Sequence, residues 1–242
     1  MKINSDVGES YGPWTLGNDE ALFPFLNQAN IACGFHASDP ATMATTVKLA
    51  VKHQLLIGAH PGYDDKVGFG RRAIPHSLDE IKALITYQVG ALQAFCLLEN
   101  TTVAYIKPHG ALYNLMMEDH EVFEAIASTS AGLGLPLMAL ATEEYRDYQQ
   151  LADKHQCALI YEAFVDRHYA DNGRLLPRQH AEALLISDIE LKSRIDDLKQ
   201  GFITSHSGKR LNFPIHSLCV HGDTPKAIEM VRQVSHWLKS DQ

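Results

Sequence analysis

The sequence predicts an α/β fold in which one closed or nearly closed β/α barrel takes up residues 1–242 as a single domain. Three observations carry that prediction. Short apolar runs alternate with stretches of helical period, the pattern of βαβ units around a parallel sheet. A chain of 242 residues fits one such barrel, since α/β barrels reach about 200–250 residues undivided, and no Gly/Ser/Pro-rich linker separates two halves. Polar residues collect at the C-terminal ends of the runs, and in a barrel those ends share one rim.

The first run, Lys2-Ile3-Asn4, is short and gives way to Asp6, Glu9 and a Gly-rich loop, then to a modest helix around 19–26. A strand near 29–33 leads to His36. Asp39 is then a suitable N-cap with Pro40 at the first helical position, ahead of Met43, Val47, Ala50 and Val51 at helical spacing. A third strand, 55–59, meets His60 and opens a loop to Pro75 that holds Gly62, Gly68, Gly70 and the pair Arg71-Arg72. Loops of that length are more often functional than not. Ser77-Leu78-Asp79-Glu80 is a capping box, and Ile81, Leu84, Ile85, Val89, Leu92 and Cys96 form one apolar stripe behind it.

The fourth strand, 103–107, ends where Pro108 cannot donate to a sheet ladder, leaving the ammonium of Lys107 beside the imidazole of His109. A helix near 122–131, a strand at 136–140, a helix at 142–154 and a strand at 158–161 follow, the last delivering Glu162, Asp166 and Arg167. Residues 183–186 read as a further short strand, Ser187 to Glu190 as a second capping box, and 201–214 as loop. A strand at 215–220 presents His221 and Asp223, and Ile228, Val231, Val234 and Leu238 mark a closing helix.

Composition narrows the partners. A net charge of −8, with 45% hydrophobic and 21% charged residues, argues for an ordinary globular protein and against nucleic acid or an anionic membrane. No apolar run approaches the ~18 residues of a spanning helix, and the first residues lack the apolar core of a signal peptide. Cys33, Cys96, Cys157 and Cys219 form no CxxC pair and read as reduced, buried thiols of a cytoplasmic protein.

A barrel would gather Asp6, Glu9, His36, His60, Lys107, His109, Glu162, Asp166, Arg167, His221 and Asp223 at one mouth, whereas an open sheet would spread them along an edge. Plainer roles exist for single members: Asp39 and Asp223 as helix caps, Glu162 with Arg167 as an ion pair, one rim histidine as a brace. Four histidines with a lysine and several carboxylates outrun those roles. His and Asp suit zinc or another first-row cation, but with no HExxH and no His-x-His the spacing neither supports nor excludes a metal. P-loop and dinucleotide fingerprints are both absent. Arg71 and Arg72, with Lys107, suit phosphate oxygens, and a solvated loop explains the two arginines equally well.

Five blocks in order then carry a resemblance. Asn30-Ile31-Ala32-Cys33-Gly34-Phe35-His36-Ala37, Gly58-Ala59-His60-Pro61, Gly68-Phe69-Gly70-Arg71-Arg72, Lys107-Pro108-His109-Gly110-Ala111-Leu112-Tyr113-Asn114 and Val220-His221-Gly222-Asp223-Thr224-Pro225 together resemble the LamB/YcsF family. Asp166-Arg167 with Tyr169, and Gly173 through Arg178, also fit its pattern. Ser5, Ser38, Gly62 and His168 depart from it without removing an expected charge or histidine.

The resemblance implies a distorted seven-stranded β/α barrel related to carbohydrate deacetylases. It also implies ATP-dependent opening of 5-oxo-L-proline to L-glutamate, with ADP and phosphate released, in company with 5-oxoprolinase subunits B and C. On that chemistry Asp6, Glu9, Lys107 and His109 are expected to carry the reaction, with His109 as acid/base. His36, His60, Arg71, Glu162, Asp166, Arg167, His221 and Asp223 are expected to bind substrate or nucleotide, or to hold a metal. The alternative is a metal-dependent deacetylase or amidohydrolase that needs no ATP. A non-enzymatic binding module delivering a small acid or sugar is the third reading.

Overall fold

A computed structural model describes residues 1–177, 180–185, 187–220 and 227–239. Seven parallel strands close into a barrel in the order β1 (Lys2–Val7), β2 (Gln28–Ala32), β3 (Leu56–His60), β4 (Val103–Ile106), β5 (Leu137–Leu140), β6 (Leu159–Phe164) and β9 (Ser217–Cys219). The ring shuts where β9 pairs with β1 through Ile3 and Leu218 and with β6 through Ala163 and Leu218. It is distorted at two places. The β3/β4 register shifts at Ile57/Gly58, and β4 meets β5 at the single pair Ile106 and Leu137. Gly58 carries no Cβ because the Tyr105 ring lies where one would go.

Three of the helices start on side-chain caps that are visible in the sequence. Asp39 accepts from the N–H groups of Ala41 and Thr42 to start α2 (Pro40–Lys52). Ser77 and Glu80 cap each other at the head of α3 (Leu78–Leu98), and Ser187 and Glu190 repeat the device at α7 (Asp188–Lys199). Helix α1 (Asp19–Leu22) precedes them, α4 (Gly110–Glu118), α5 (His120–Gly132) and α6 (Tyr145–Asp153) stand between α3 and α7, and α8 (Ala227–Lys239) follows β9. Helix α3 is long and apolar enough to cross a membrane by length and composition, contrary to the expectation from the sequence. It buries Ile81, Leu84, Ile85, Val89, Leu92 and Cys96 in the hydrophobic core.

The departures are local. Strand β1 runs on to Val7, so Asp6 lies within it, and β6 runs on to Phe164, so Glu162 lies within it. Residues 183–185 make no barrel strand: Leu184 forms an antiparallel bridge with Arg167. The stretch read as loop at 201–214 holds a small hairpin, β7 (Ile203–Thr204) with β8 (Arg210–Leu211). The segment after Gly110 is helical at once, with His109 as its N-cap.

Inside the ring the packing is polar rather than aliphatic. Asn4 donates to Ser217 Oγ at 2.8 Å, Ser217 donates to Gln28 Oε1 at 2.6 Å, and Asn30 donates to Asn4 Oδ1 at 2.8 Å. These are all buried, and every one finds a partner, as buried polar groups must. Strand periodicity of two then carries the inward row upward from Asn4 to Asp6, from Gly58 to His60, from Tyr105 to Lys107 and from Ser217 to Cys219.

Candidate active site

The floor of the site is Lys107, buried just past the end of β4. Its Nζ lies 2.9 Å from Asp6 Oδ1, 3.1 Å from Glu162 Oε2 and 3.3 Å from Cys219 Sγ, with the Phe164 ring centroid 5.4 Å away. Burial works against its charge, but Asp6 and Glu162 outweigh burial and hold the ammonium well above its ordinary range. Burial pushes the Cys219 thiol well up, so it stays neutral. Asp6 is aimed from behind: Asn30 donates to Asp6 Oδ1 at 2.8 Å, and the Tyr105 hydroxyl donates to Asn30 Oδ1 at 2.5 Å.

Beside that floor, among the described residues, stand three histidines. His60 Nδ1 lies 2.7 Å from the Lys107 carbonyl and His109 Nε2 lies 2.8 Å from the Phe69 carbonyl. The remaining ring nitrogens, His60 Nε2 and His109 Nδ1, face each other at 2.9 Å. His36 stacks on His109 with centroids 3.7 Å apart, and its Nε2 lies 3.3 Å from Glu9 Oε1. Burial, then the neighbouring imidazoles, hold His36 and His109 well below the usual histidine range, so both rings are neutral near pH 7. Glu9, His36, His60 and His109 offer ligand atoms within 4.8 Å of one another and can together hold a metal ion.

A cavity of about 400 Å³ opens above this group, lined among others by Asp6, Glu9, His60, Arg71, Lys107 and His109. Several residues expected at the mouth take roles other than those their type suggests. Glu162 pairs with Lys107, not with Arg167. Arg167, buried on the cavity wall, donates to the carbonyls of Ala183 and Leu176 and so folds the 167–185 segment back on itself just past β6. Asp166 is buried and does not line the cavity. Arg71 is exposed at the rim, whereas Arg72 is held by Asp65 and brings that carboxyl down to about 2. Asp39 is a helix cap and also accepts from Gly12 N–H. His221 and Asp223 lie outside the described residues.

The sequence assigns no site role to Asn30, Tyr105, Phe69 or Phe164, although Asn30 and Phe69 stand in the family blocks. Asn30 and Tyr105 were legible only through the alternation within their strands. Phe69 acts through its carbonyl on His109 and through its ring, which stands edge-on to His36 and His109 with centroids 5.7 and 5.1 Å away.

The family model described as LamB/YcsF family matches residues 1–242. The chain belongs to the LamB/YcsF family. Its relatives include the 5-oxoprolinase A subunit of Vibrio vulnificus, 45% identical over 236 residues that cover 97% of this chain and 96% of that protein. Another 5-oxoprolinase A subunit, from Pseudomonas aeruginosa, is 43% identical over 98% of this chain and 96% of that one. Among solved structures, the lactam utilization protein of Thermus thermophilus superposes with a TM-score of 0.92 at 36% identity, covering 100% of this chain and 96% of that one. The LamB/YcsF barrel with its Lys107 floor and histidine wall is thus the frame for any reading of function.

Proposed function

We propose that this chain is the A component of a cytoplasmic, ATP-dependent 5-oxoprolinase that opens 5-oxo-L-proline to L-glutamate, working with companion subunits B and C. The observation that carries the reading is the buried Lys107 ammonium, fixed by Asp6 and Glu162 at the bottom of a small cavity, in a chain whose relatives bear the name of the 5-oxoprolinase A subunit.

A five-membered lactam is a stable amide, so its oxygen needs activation. Transfer of the ATP γ-phosphoryl group to that oxygen makes the ring carbon electrophilic. Water then adds to the carbon, the C–N bond breaks with a proton delivered to nitrogen, and a second water releases phosphate. Lys107 stabilises charge developing on the oxygen from a site shielded from water, and Arg71 at the rim suits the phosphate or the substrate carboxylate. Asp6 is placed to take the proton of the attacking water, with Oδ2 turned toward His60 at 3.3 Å. His109 suits proton transfer less than its residue type suggests, because its Nε2 is held by the Phe69 carbonyl and its Nδ1 is turned toward His60.

Glutamate release should be assayed with the three purified subunits, with and without ATP and with and without a chelator. Release that requires ATP and all three chains supports the reading, and robust turnover without nucleotide sinks it. The group formed by Glu9, His36, His60 and His109 favours a second reading, a metal-dependent amidohydrolase or deacetylase. That enzyme would turn over alone, without ATP, and stop on chelation.

A further inference from the structure

The two backbone carbonyls that hold His60 and His109 fix more than ring orientation. A carbonyl only accepts, so the hydrogen-bond network assigns N–H to His60 Nδ1, facing Lys107 O, and to His109 Nε2, facing Phe69 O. The nitrogens left over, His60 Nε2 and His109 Nδ1, then both carry lone pairs, and they are 2.9 Å apart. Asp6 Oδ2 lies 3.3 Å from the first, and Glu9 Oε1 lies 3.7 Å from the second. Electron-rich atoms at these separations repel unless a shared proton or a metal ion sits among them, and a metal ion satisfies both rings and the carboxylate at once.

We propose that His60 Nε2, His109 Nδ1 and the Glu9 carboxylate bind one divalent first-row transition-metal ion, of the zinc or cobalt kind, on the cavity wall. Metal–imidazole bonds of about 2.0–2.1 Å place two nitrogens about 2.9 Å apart at a right angle and about 3.4 Å apart at a tetrahedral one. The observed 2.9 Å already fits the first, and a few tenths of an ångström of ring movement gives the second. Imidazole nitrogen selects such ions over magnesium or calcium, which prefer oxygen.

The surroundings have the form that metal-binding histidines need. Each ring donates its other N–H to a fixed carbonyl, which sets the tautomer and the direction of the lone pair. His36 completes the support: its Nε2–H donates to Glu9 and its ring stacks on His109. Glu9, His60 and His109 line the cavity and His36 does not, so the ion would keep an open face toward a ligand. Bound there, it would supply Lewis-acid polarisation of an oxygen entering the cavity. The inference stands on ring geometry and not on the lactam reaction.

The test uses the full chain alone, with neither ATP nor lactam, so it holds or fails separately from the reaction proposed above. Protein stripped with a chelator is titrated with zinc and with cobalt, and metal content is measured after dialysis. The expected result is one equivalent per chain, a visible cobalt absorption and a raised Tm, with no uptake of magnesium. Affinity should fall by about 100-fold or more in His60→Ala and in His109→Ala, since loss of a mere supporting partner already costs about 10–100-fold. His206→Ala serves as the control, because His206 belongs to a separate surface group with His168, His180 and Glu182.

If the alanine variants fail to fold, nitrogen NMR of the wild-type histidine rings decides. Zinc should shift His60 Nε2 and His109 Nδ1 to metal-bound positions and leave His206 in place. No stoichiometric uptake by wild type, uptake that follows His206, or rings that share a proton and ignore zinc would each overturn the proposal.

Discussion

Lys107 Nζ sits 2.9 Å from Asp6 Oδ1, a pair drawn from residues 101 apart in sequence and joined only because β1 and β4 share one barrel interior. The same ammonium is the charge that balances Glu162, whose side chain is fully buried. Lys107→Met therefore strands a buried carboxylate, and breaking such a pair from one side costs about 3–5 kcal/mol. Removing both charges, in Lys107→Met with Glu162→Gln, should restore most of that loss while leaving turnover abolished. Urea unfolding of the two single variants and the double checks this, and a double variant no more stable than Lys107→Met would show that Glu162 is not balanced by Lys107.

The hydroxyl of Tyr105 acts on the site at one remove, through Asn30 to Asp6. Tyr105→Phe deletes one buried hydrogen bond and should lower stability by about 1–2 kcal/mol. Because Asn30 then loses its anchor, kcat should fall several-fold with KM little changed. An equal rise in KM would instead place Tyr105 in ligand binding.

The C-terminal position of each polar cluster was legible because an apolar run followed by a break is visible in one dimension. The barrel expectation followed from it, and the seven strands observed are in accord with the family resemblance. What lay hidden was polarity within strands. Asn4 read as the end of a three-residue run, whereas the strand continues to Val7, because Asn4, Ser217, Gln28 and Asn30 satisfy one another across the ring. Partners that far apart in sequence leave no local trace. The turn toward a helix at Gly110 is legible, but the extent of α4 is not, for a related reason. The helix starts on a glycine behind a histidine that makes no side-chain cap, and its burial of Leu112, Tyr113, Met116 and Met117 holds it instead.

Gly70 lays its backbone against two of the site's rings. Its φ of +62° lies in the left-handed region, and a Cβ there would come 2.7 Å from His36 Cβ and 2.9 Å from His109 Cδ2. Gly134, with φ of +70° and nothing within 4 Å, is the matched control. Backbone strain alone should cost each alanine variant about 1–2 kcal/mol, so the extra loss in Gly70→Ala measures crowding of the two rings. Denaturant midpoints of both variants test it. Equal midpoint shifts would mean that the rings move aside freely.

Asp19 gives a pH dependence that can be isolated. It accepts from Gly8 N–H at 2.8 Å, tying the loop after β1 to α1, and burial raises its carboxyl to about 6 against an ordinary 3.8. A carboxyl whose folded value lies above its unfolded one favours the fold fully below the unfolded value and loses that contribution as pH rises through the folded one. Above pH 6, then, the ionised Asp19 weighs against the native state. Asp19→Asn keeps an acceptor for Gly8 and removes the charge, so it should gain about 1–2 kcal/mol over wild type at pH 8. The gain should vanish at pH 3.5, where both side chains are neutral. Thermal unfolding of the pair at the two pH values cancels every other titrating group. A variant less stable than wild type at pH 8 would mean that the charge-assisted bond from Gly8 outweighs the burial of the carboxylate.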